Sequence, residues 1–327
     1  MPIISYIDAV TQALREEMQQ DKRVFVLGED VGVRGGVFRA TQGLYEEFGE
    51  QRVMDTPLAE SAIVGVAIGA AAYGMRPVAE IQFADFIMPA VNQIVSEAAK
   101  MRYRSNGDWN CPLVIRAPYG GGVHGALYHS QSVEAMFCNT PGLKVVAPST
   151  PYDVKGLLKA AIRDSDPVLF FEHKRCYRLI KGEVPVGDYT LPLGKADVKR
   201  EGEDITVISY GLTLHFALQA AEKLASGGYS AHVLDLRTLY PLDRESIVEA
   251  ARKTGKVLIV HEDNKEGGLG AEISAVIAEE CLFELDAPIK RLCGPDVPAM
   301  PYSPPMEKFF MLNPDKVYQA MKELAEF

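Results

Sequence analysis

Basic residues are in short supply. Across 327 residues, 34 Lys and Arg stand against 44 Asp and Glu, a formal net charge of −10. Such a surface repels polyanions, which excludes nucleic acid or an anionic membrane as the principal partner. The chain also lacks an apolar run of the roughly 20 residues that a bilayer demands. The cysteines (Cys111, Cys138, Cys176, Cys281, Cys293) are odd in number, five, with no C-x-x-C spacing. That argues against a disulfide framework and for reduced, mostly buried thiols in a cytoplasmic protein. H-E-x-x-H, the P-loop and G-x-S-x-G are all missing, which removes the commonest signatures of zinc peptidases, nucleotide triphosphatases and serine hydrolases. No internal repeat and no low-complexity tract is seen. No targeting segment is expected, because Ser5 and Asp8 cap an amphipathic run almost at once.

What is present has the make-up of a globular protein, 47% apolar and 24% charged, long enough for two domains. Short β-rich apolar runs alternate with helical patterns. Strands are expected at 24–27, 52–54, 77–83, 113–117, 144–147 and 168–172, with helices at 55–74, 85–104 and 152–163. From residue 173 to about 202 the pattern breaks into Pro, Gly and charged residues. A second series follows, with strands at 204–210, 231–235, 257–261 and 288–292. Its helices are expected at 213–225, 244–253, 268–280 and 314–326. The domains are therefore expected at 1–180 and 203–327, joined by a linker at 181–202. Alternation of this kind implies two α/β units with mainly parallel, doubly wound sheets. Ligands belong at the carboxyl ends of such strands, where Glu29, 82–86 and 120–131 fall.

The stretch 55–74, DTPLAESAIVGVAIGAAAYG, organises the rest. Thr56-Pro57 predicts a helix start, with a hydroxyl cap and a proline at the first helical position. Glu60 is then the only acid before a helix with no further charge until Arg76, and Gly65 and Gly69 allow close approach of other backbone. An acid at the mouth of an apolar surface is expected to have a raised pKa and to handle protons. The plain alternative is an acid favoured there by the helix dipole alone. Phe83-Ala84-Asp85-Phe86 puts an aromatic pair at a strand-to-helix turn. His124 and His129 share a glycine-rich loop, HGALYH. The turn at 267–272, GGLGAE, lacks G-x-G-x-x-G spacing and reads as a tight turn rather than a phosphate site.

These features carry a resemblance. DTPLAE with GVAIGAA, IQFADF, EAAKMRYRS, HGALYHSQSVEAMF, VVAPSTPYDVKGLLKAAIRDSDPVLFFEHK, DLRTLYPLD and HEDNKEGGLGAE resemble the β subunits of the thiamine-diphosphate-dependent 2-oxo acid dehydrogenases. The branched-chain (2-oxoisovalerate) class is the nearest in kind. The match runs essentially the full length. It implies a transketolase-like fold, a pyrimidine-binding domain followed by a transketolase C-terminal domain. It makes Glu60 the residue that shares a proton with the cofactor's pyrimidine ring, and puts Phe86 at the position stacked on that ring. Many branched-chain relatives carry tyrosine there, so stacking must suffice. Glu29 and Leu58 fall at positions lining the same ring. His129, rather than His124, matches the histidine that helps transfer the acyl group to the lipoyl arm.

The resemblance further implies a monovalent-cation (K⁺) site around Leu113, Val114, Ala161, Asp164 and Asp166, where the side chains differ from those of relatives. The family's Mg²⁺- and diphosphate-binding G-D-G motif is absent here, so half of the site must come from an α subunit in an α₂β₂ tetramer. Asp296 and the Phe327 terminus match the surface that docks the lipoyl-bearing acyltransferase. The rival readings are a β subunit acting on pyruvate or acetoin, and a non-catalytic α/β binding module.

Overall fold

The computed structural model describes residues 1–327. Contacts divide the chain into two units, one of Met1–Tyr119 with Phe137–Leu193 and one of Gly120–Met136 with Gly194–Phe327. The stretch 181–193, expected as linker, thus belongs to the first unit, and its strand Lys181–Glu183 pairs antiparallel with Ile3–Ser5. The glycine-rich segment after residue 119 belongs to the second.

In the first unit, parallel strands run in the order Lys144–Val146, Val168–His173, Val114–Tyr119, Arg76–Glu80, Val24–Gly28, Val53–Asp55. Val24–Gly28, Val114–Tyr119 and Val168–His173 are buried along their whole length, as befits a parallel sheet covered on both faces. The helix Tyr6–Gln20 starts at Ser5, whose hydroxyl accepts from Asp8 N while the Asp8 carboxylate accepts from Ser5 N. That reciprocal pair satisfies two otherwise orphaned donors. Its apolar stripe, Tyr6, Val10, Ala13, Leu14 and Met18, is buried. It packs on Pro151–Arg163, where Lys155 and Lys159 reach Glu16 at 2.7 and 2.6 Å.

Two expected helices differ. The helix after Asp55 spans Glu60–Ala72 with Ala59 as N-cap (φ −161°, ψ 80°) and no side-chain cap. Thr56 N donates instead to Gly28 O at 2.9 Å, prolonging the strand. The cause is Pro57, which disfavours helical geometry at the residue before it. The expected 85–104 helix is broken into 3₁₀ turns at Ala84–Phe86 and Met88–Ala90, a π-helix Asn92–Ala98 and a short α-helix Met101–Arg104. Pro89, with no N–H to donate, lies in the first positions of the second turn.

The second unit has strands ordered Lys290–Gly294, Val257–Asn264, Ile205–Ser209, Ala231–Asp235, Asp197–Arg200, all parallel except the last. Helices Leu212–Ala225, Arg244–Thr254, Leu269–Cys281 and Pro314–Ala325 pack on them. A short helix unsuspected from the sequence, Pro304–Phe310, follows the proline-rich loop. No helix is long and apolar enough to cross a membrane, and all five cysteines are free thiols.

Candidate active site

In the first unit, strand register decides which residues meet. Gly28 lies opposite Glu80 on one side and Asp55 on the other. The three segments that leave those strands therefore start side by side, carrying Glu29, Gln82–Phe86 (residues 82–86) and Thr56–Glu60 (residues 56–60). Gly28 is required there: its φ is +157°, and a Cβ would lie 2.6 Å from Glu80 O.

Glu29 and Glu60 are both half-buried. Burial first, then the charges of Asp30 and Glu60, push the Glu29 carboxyl above its ordinary range. Two acids thus share one rim, and the charge of Glu60 adds to the rise at Glu29. Gln82 Nε2 reaches Glu29 O at 3.4 Å. The aromatic pair forms as expected: Phe83 and Phe86 meet edge to face at 5.9 Å, and Phe38 joins Phe83 at 5.3 Å. Lys174 Nζ lies 5.6 Å from the Phe83 ring centroid. Leu58 is 71% exposed, and Thr56 Oγ1 is buried without a partner.

Beneath this rim is an ion cluster that sequence reasoning missed. Arg116 is fully buried and donates to Glu80 Oε2 at 2.5 Å and to both Glu172 oxygens at 2.6 and 2.7 Å. Tyr177 Oη donates to Glu172 at 2.6 Å, and its ring lies 5.3 Å from Phe38. The cluster is thereby linked through Phe38 to the aromatic platform. The available signal was a charge set into each of three apolar runs, Arg116 in VIRAPY, Glu80 ending RPVAE and Glu172 in VLFFEH.

His129 is half-buried in the second unit. Its loop is closed by Gly120 N to Gln131 O at 2.9 Å, and Gly121 N donates to Glu262 Oε1 at 2.5 Å. In the same unit Glu134 is fully buried and accepts from Tyr210 Oη at 2.8 Å. Its carboxyl is held well above the ordinary range by burial and then by Asp263. Asp263 itself is pushed up to about 6, chiefly by burial.

The positions expected to hold a monovalent cation are differently engaged. Leu113 O accepts from Val168 N at 2.8 Å and Ala161 O from Asp164 N at 3.2 Å. Val114 is an ordinary buried strand residue. The Asp164 carboxylate takes Lys144 Nζ at 2.7 Å, Asp166 takes Arg102 at 3.0 Å, and Arg76 Nη1 donates to Ile162 O and Asp164 O at 2.7 and 2.9 Å. Protein cations and amides donate to these oxygens. Nowhere do three or more His, Cys, Asp or Glu form a group that could hold a metal ion. Asp296 and Phe327 are both exposed, in the second unit.

Two α/β units in this order, the first with an acid and an aromatic platform at its carboxyl rim, define a transketolase-type chain. Residues 3–180 match the transketolase pyrimidine binding domain and residues 194–317 the transketolase C-terminal domain. A solved split-gene transketolase, an inactive β4 tetramer, superposes with a TM-score of 0.79 at 27% identity, covering 99% of this chain and 98% of that one. The chain is 76% identical to the 2-oxoisovalerate dehydrogenase subunit beta of Bacillus subtilis over the whole of both. Against the mitochondrial subunit of Dictyostelium discoideum it is 51% identical, covering 98% of this chain and 86% of that one. Against the pyruvate dehydrogenase E1 component subunit beta of Bacillus subtilis identity is 48% over the whole of both. The chain belongs to the β-subunit family of the 2-oxo acid dehydrogenases.

Proposed function

We propose that the chain is the β subunit of a branched-chain 2-oxo acid dehydrogenase. With an α partner in an α₂β₂ assembly it decarboxylates branched-chain 2-oxo acids and passes the acyl group to a lipoyl arm. The cofactor the family implies is thiamine diphosphate. The rim residues suit its aminopyrimidine end: a half-buried carboxyl at Glu60, a neighbouring acid whose pKa is raised, an aromatic platform, and a buried Thr56 hydroxyl with no partner. They do not suit its diphosphate, for which no metal-ligating cluster is present; that end and Mg²⁺ fall to the α partner.

When bound, the cofactor supplies the nucleophilic carbon and electron sink that decarboxylation needs. Glu60 is the acid that shares a proton with the ring, and a low-dielectric rim is what makes such sharing effective. Glu29 beside it is a second acid on the same rim, its own carboxyl raised above the ordinary range. Phe86, set against Phe83, gives the ring a flat apolar face, and Leu58 closes the edge. His129 acts as the proton donor and acceptor during transfer to the lipoyl sulfur. No step is routed through K⁺. The acyltransferase docks near Asp296 and Phe327. Free, mostly buried thiols suit a reducing cytoplasm.

The observation that carries the substrate class is 76% identity to a 2-oxoisovalerate dehydrogenase β subunit against 48% to a pyruvate dehydrogenase one in the same organism. The test is turnover of 2-oxoisovalerate and pyruvate by the chain co-purified with its α partner. A kcat/KM at least 10-fold higher for the branched substrate is expected; equal or better use of pyruvate would refute the substrate class.

A further inference from the structure

The loop that bears His129 is held in a conformation that its own residues do not favour. His124 and Ala126 have φ of +57° and +53°, the left-handed region that non-glycine residues seldom occupy. Between them Gly125 lies hard against His129: a Cβ there would stand 2.6 Å from His129 O and 2.7 Å from its Cβ. The turn at 124–126 is therefore the bed on which His129 rests. Distorting it must displace the histidine.

One side chain from a distant segment of the same unit meets the turn directly. Glu307, on the short helix Pro304–Phe310, is 3% exposed. One carboxylate oxygen accepts from His124 N at 3.2 Å, and the other contacts His124 Nδ1. The contact uses both oxygens on one residue, fixing the backbone and the ring together, and the near-complete burial of Glu307 strengthens it. His124 itself is 63% exposed by its side chain, and Glu307 is the partner its ring meets. The helix that carries Glu307 is anchored by Glu307 N to Ser303 O at 2.9 Å and Met311 N to Glu307 O at 2.8 Å.

We infer that Glu307 is a positioning residue: by clamping His124 it holds the strained 124–126 turn and so sets His129 for acyl transfer. The inference rests on the acyl-transfer role given to His129 above. It predicts a split between the two half-reactions, since the role given to His129 is in acyl transfer and the role given to Glu60 is in decarboxylation.

The test is Glu307→Ala and Glu307→Gln in the assembled enzyme with its α partner. Two rates are read, decarboxylation with an artificial electron acceptor and reductive acylation of a free lipoyl domain. Glu307→Ala is expected to slow acylation 10- to 100-fold and leave dye-coupled decarboxylation within 2-fold. Glu307→Gln keeps an oxygen for His124 N and should recover most of the loss. Equal falls in both rates, or none in either, would overturn the inference. His129→Ala is run alongside. If it leaves acylation intact, the role given to His129 is wrong, and hydrogen exchange over residues 120–131 in Glu307→Ala then decides the clamp. Faster exchange there supports it and unchanged exchange overturns it.

Discussion

Replacing Arg116 by methionine isolates the worth of the ion cluster under the candidate site. Arg116 and Glu172 are fully buried and Glu80 is 2% exposed. The guanidinium makes three hydrogen bonds, at 2.5, 2.6 and 2.7 Å, to the two carboxylates. Methionine fills much of the same space but removes the only cation between them. Stranding a buried charge in this way costs about 3–5 kcal/mol. For a unit of this size, each kcal/mol lowers the melting temperature by about 2–4 °C, so a fall of about 6–20 °C is expected. The sign of the pH dependence follows from Glu80, whose carboxyl burial already raises, with Arg116 opposing that rise. In the variant the opposition is gone. A carboxyl whose folded pKa exceeds its unfolded one contributes stability fully below the unfolded value and loses it as pH rises through the folded value. The deficit of Arg116→Met is thus greatest above pH 7 and shrinks towards pH 5. Thermal unfolding at fixed scan rate between pH 5 and 8 measures it, with Arg116→Lys, which keeps the charge without the fork, expected to lie between. A variant melting within 2 °C of the parent at pH 7.5, or a deficit that does not change with pH, would refute the reasoning.

Asp263 offers the reverse case. Burial pushes it up to about 6, so its contribution is present below its ordinary value and is lost as pH rises through 6. Asp263→Asn, which keeps the oxygen accepting from Asn264 N, should raise stability at pH 8 by about 2–3 kcal/mol and flatten the profile between pH 5 and 8. Urea unfolding at those pH values checks it. On the helix Glu60–Ala72, Val66 is 60% exposed and Tyr73, just beyond, 92%. Val66→Glu should leave the melting temperature of the chain alone within about 2 °C, since surface changes are worth about 0.5 kcal/mol. It should abolish co-purification with the α partner, read by size-exclusion chromatography.

Most of the strands were legible because parallel sheets demand unbroken apolar runs, and the runs at 24–27, 113–117 and 168–172 stand out against their surroundings. The Ser5–Asp8 cap was legible for a local reason: both of its hydrogen bonds lie within four residues. So was the place of Glu60, the lone acid ahead of a chargeless helix. The start of its helix was not, because Thr56-Pro57 carries the local marks of a cap, and only the distant Gly28 O accepting from Thr56 N draws the pair into the strand exit. The helix expected at 85–104 failed for a similar reason. Its composition is helical, but the turn after Phe83 and the ring of Pro89 prevent one continuous hydrogen-bond ladder. Short antiparallel pairings such as Ile3–Ser5 with Lys181–Glu183 bring together residues far apart in sequence, and no local pattern announces them. The same holds for Glu307, whose value lies wholly in its contact with His124.

The central claim is that Glu60 handles the proton that activates the cofactor's pyrimidine. Its most direct test is the rate of hydrogen–deuterium exchange at the reactive carbon of thiamine diphosphate in the assembled enzyme, for the parent and for Glu60→Gln. General acid–base assistance of this kind is worth about 10²–10⁴-fold, so Glu60→Gln should slow exchange at least 100-fold with the cofactor still bound. Exchange within a few-fold of the parent would contradict the account.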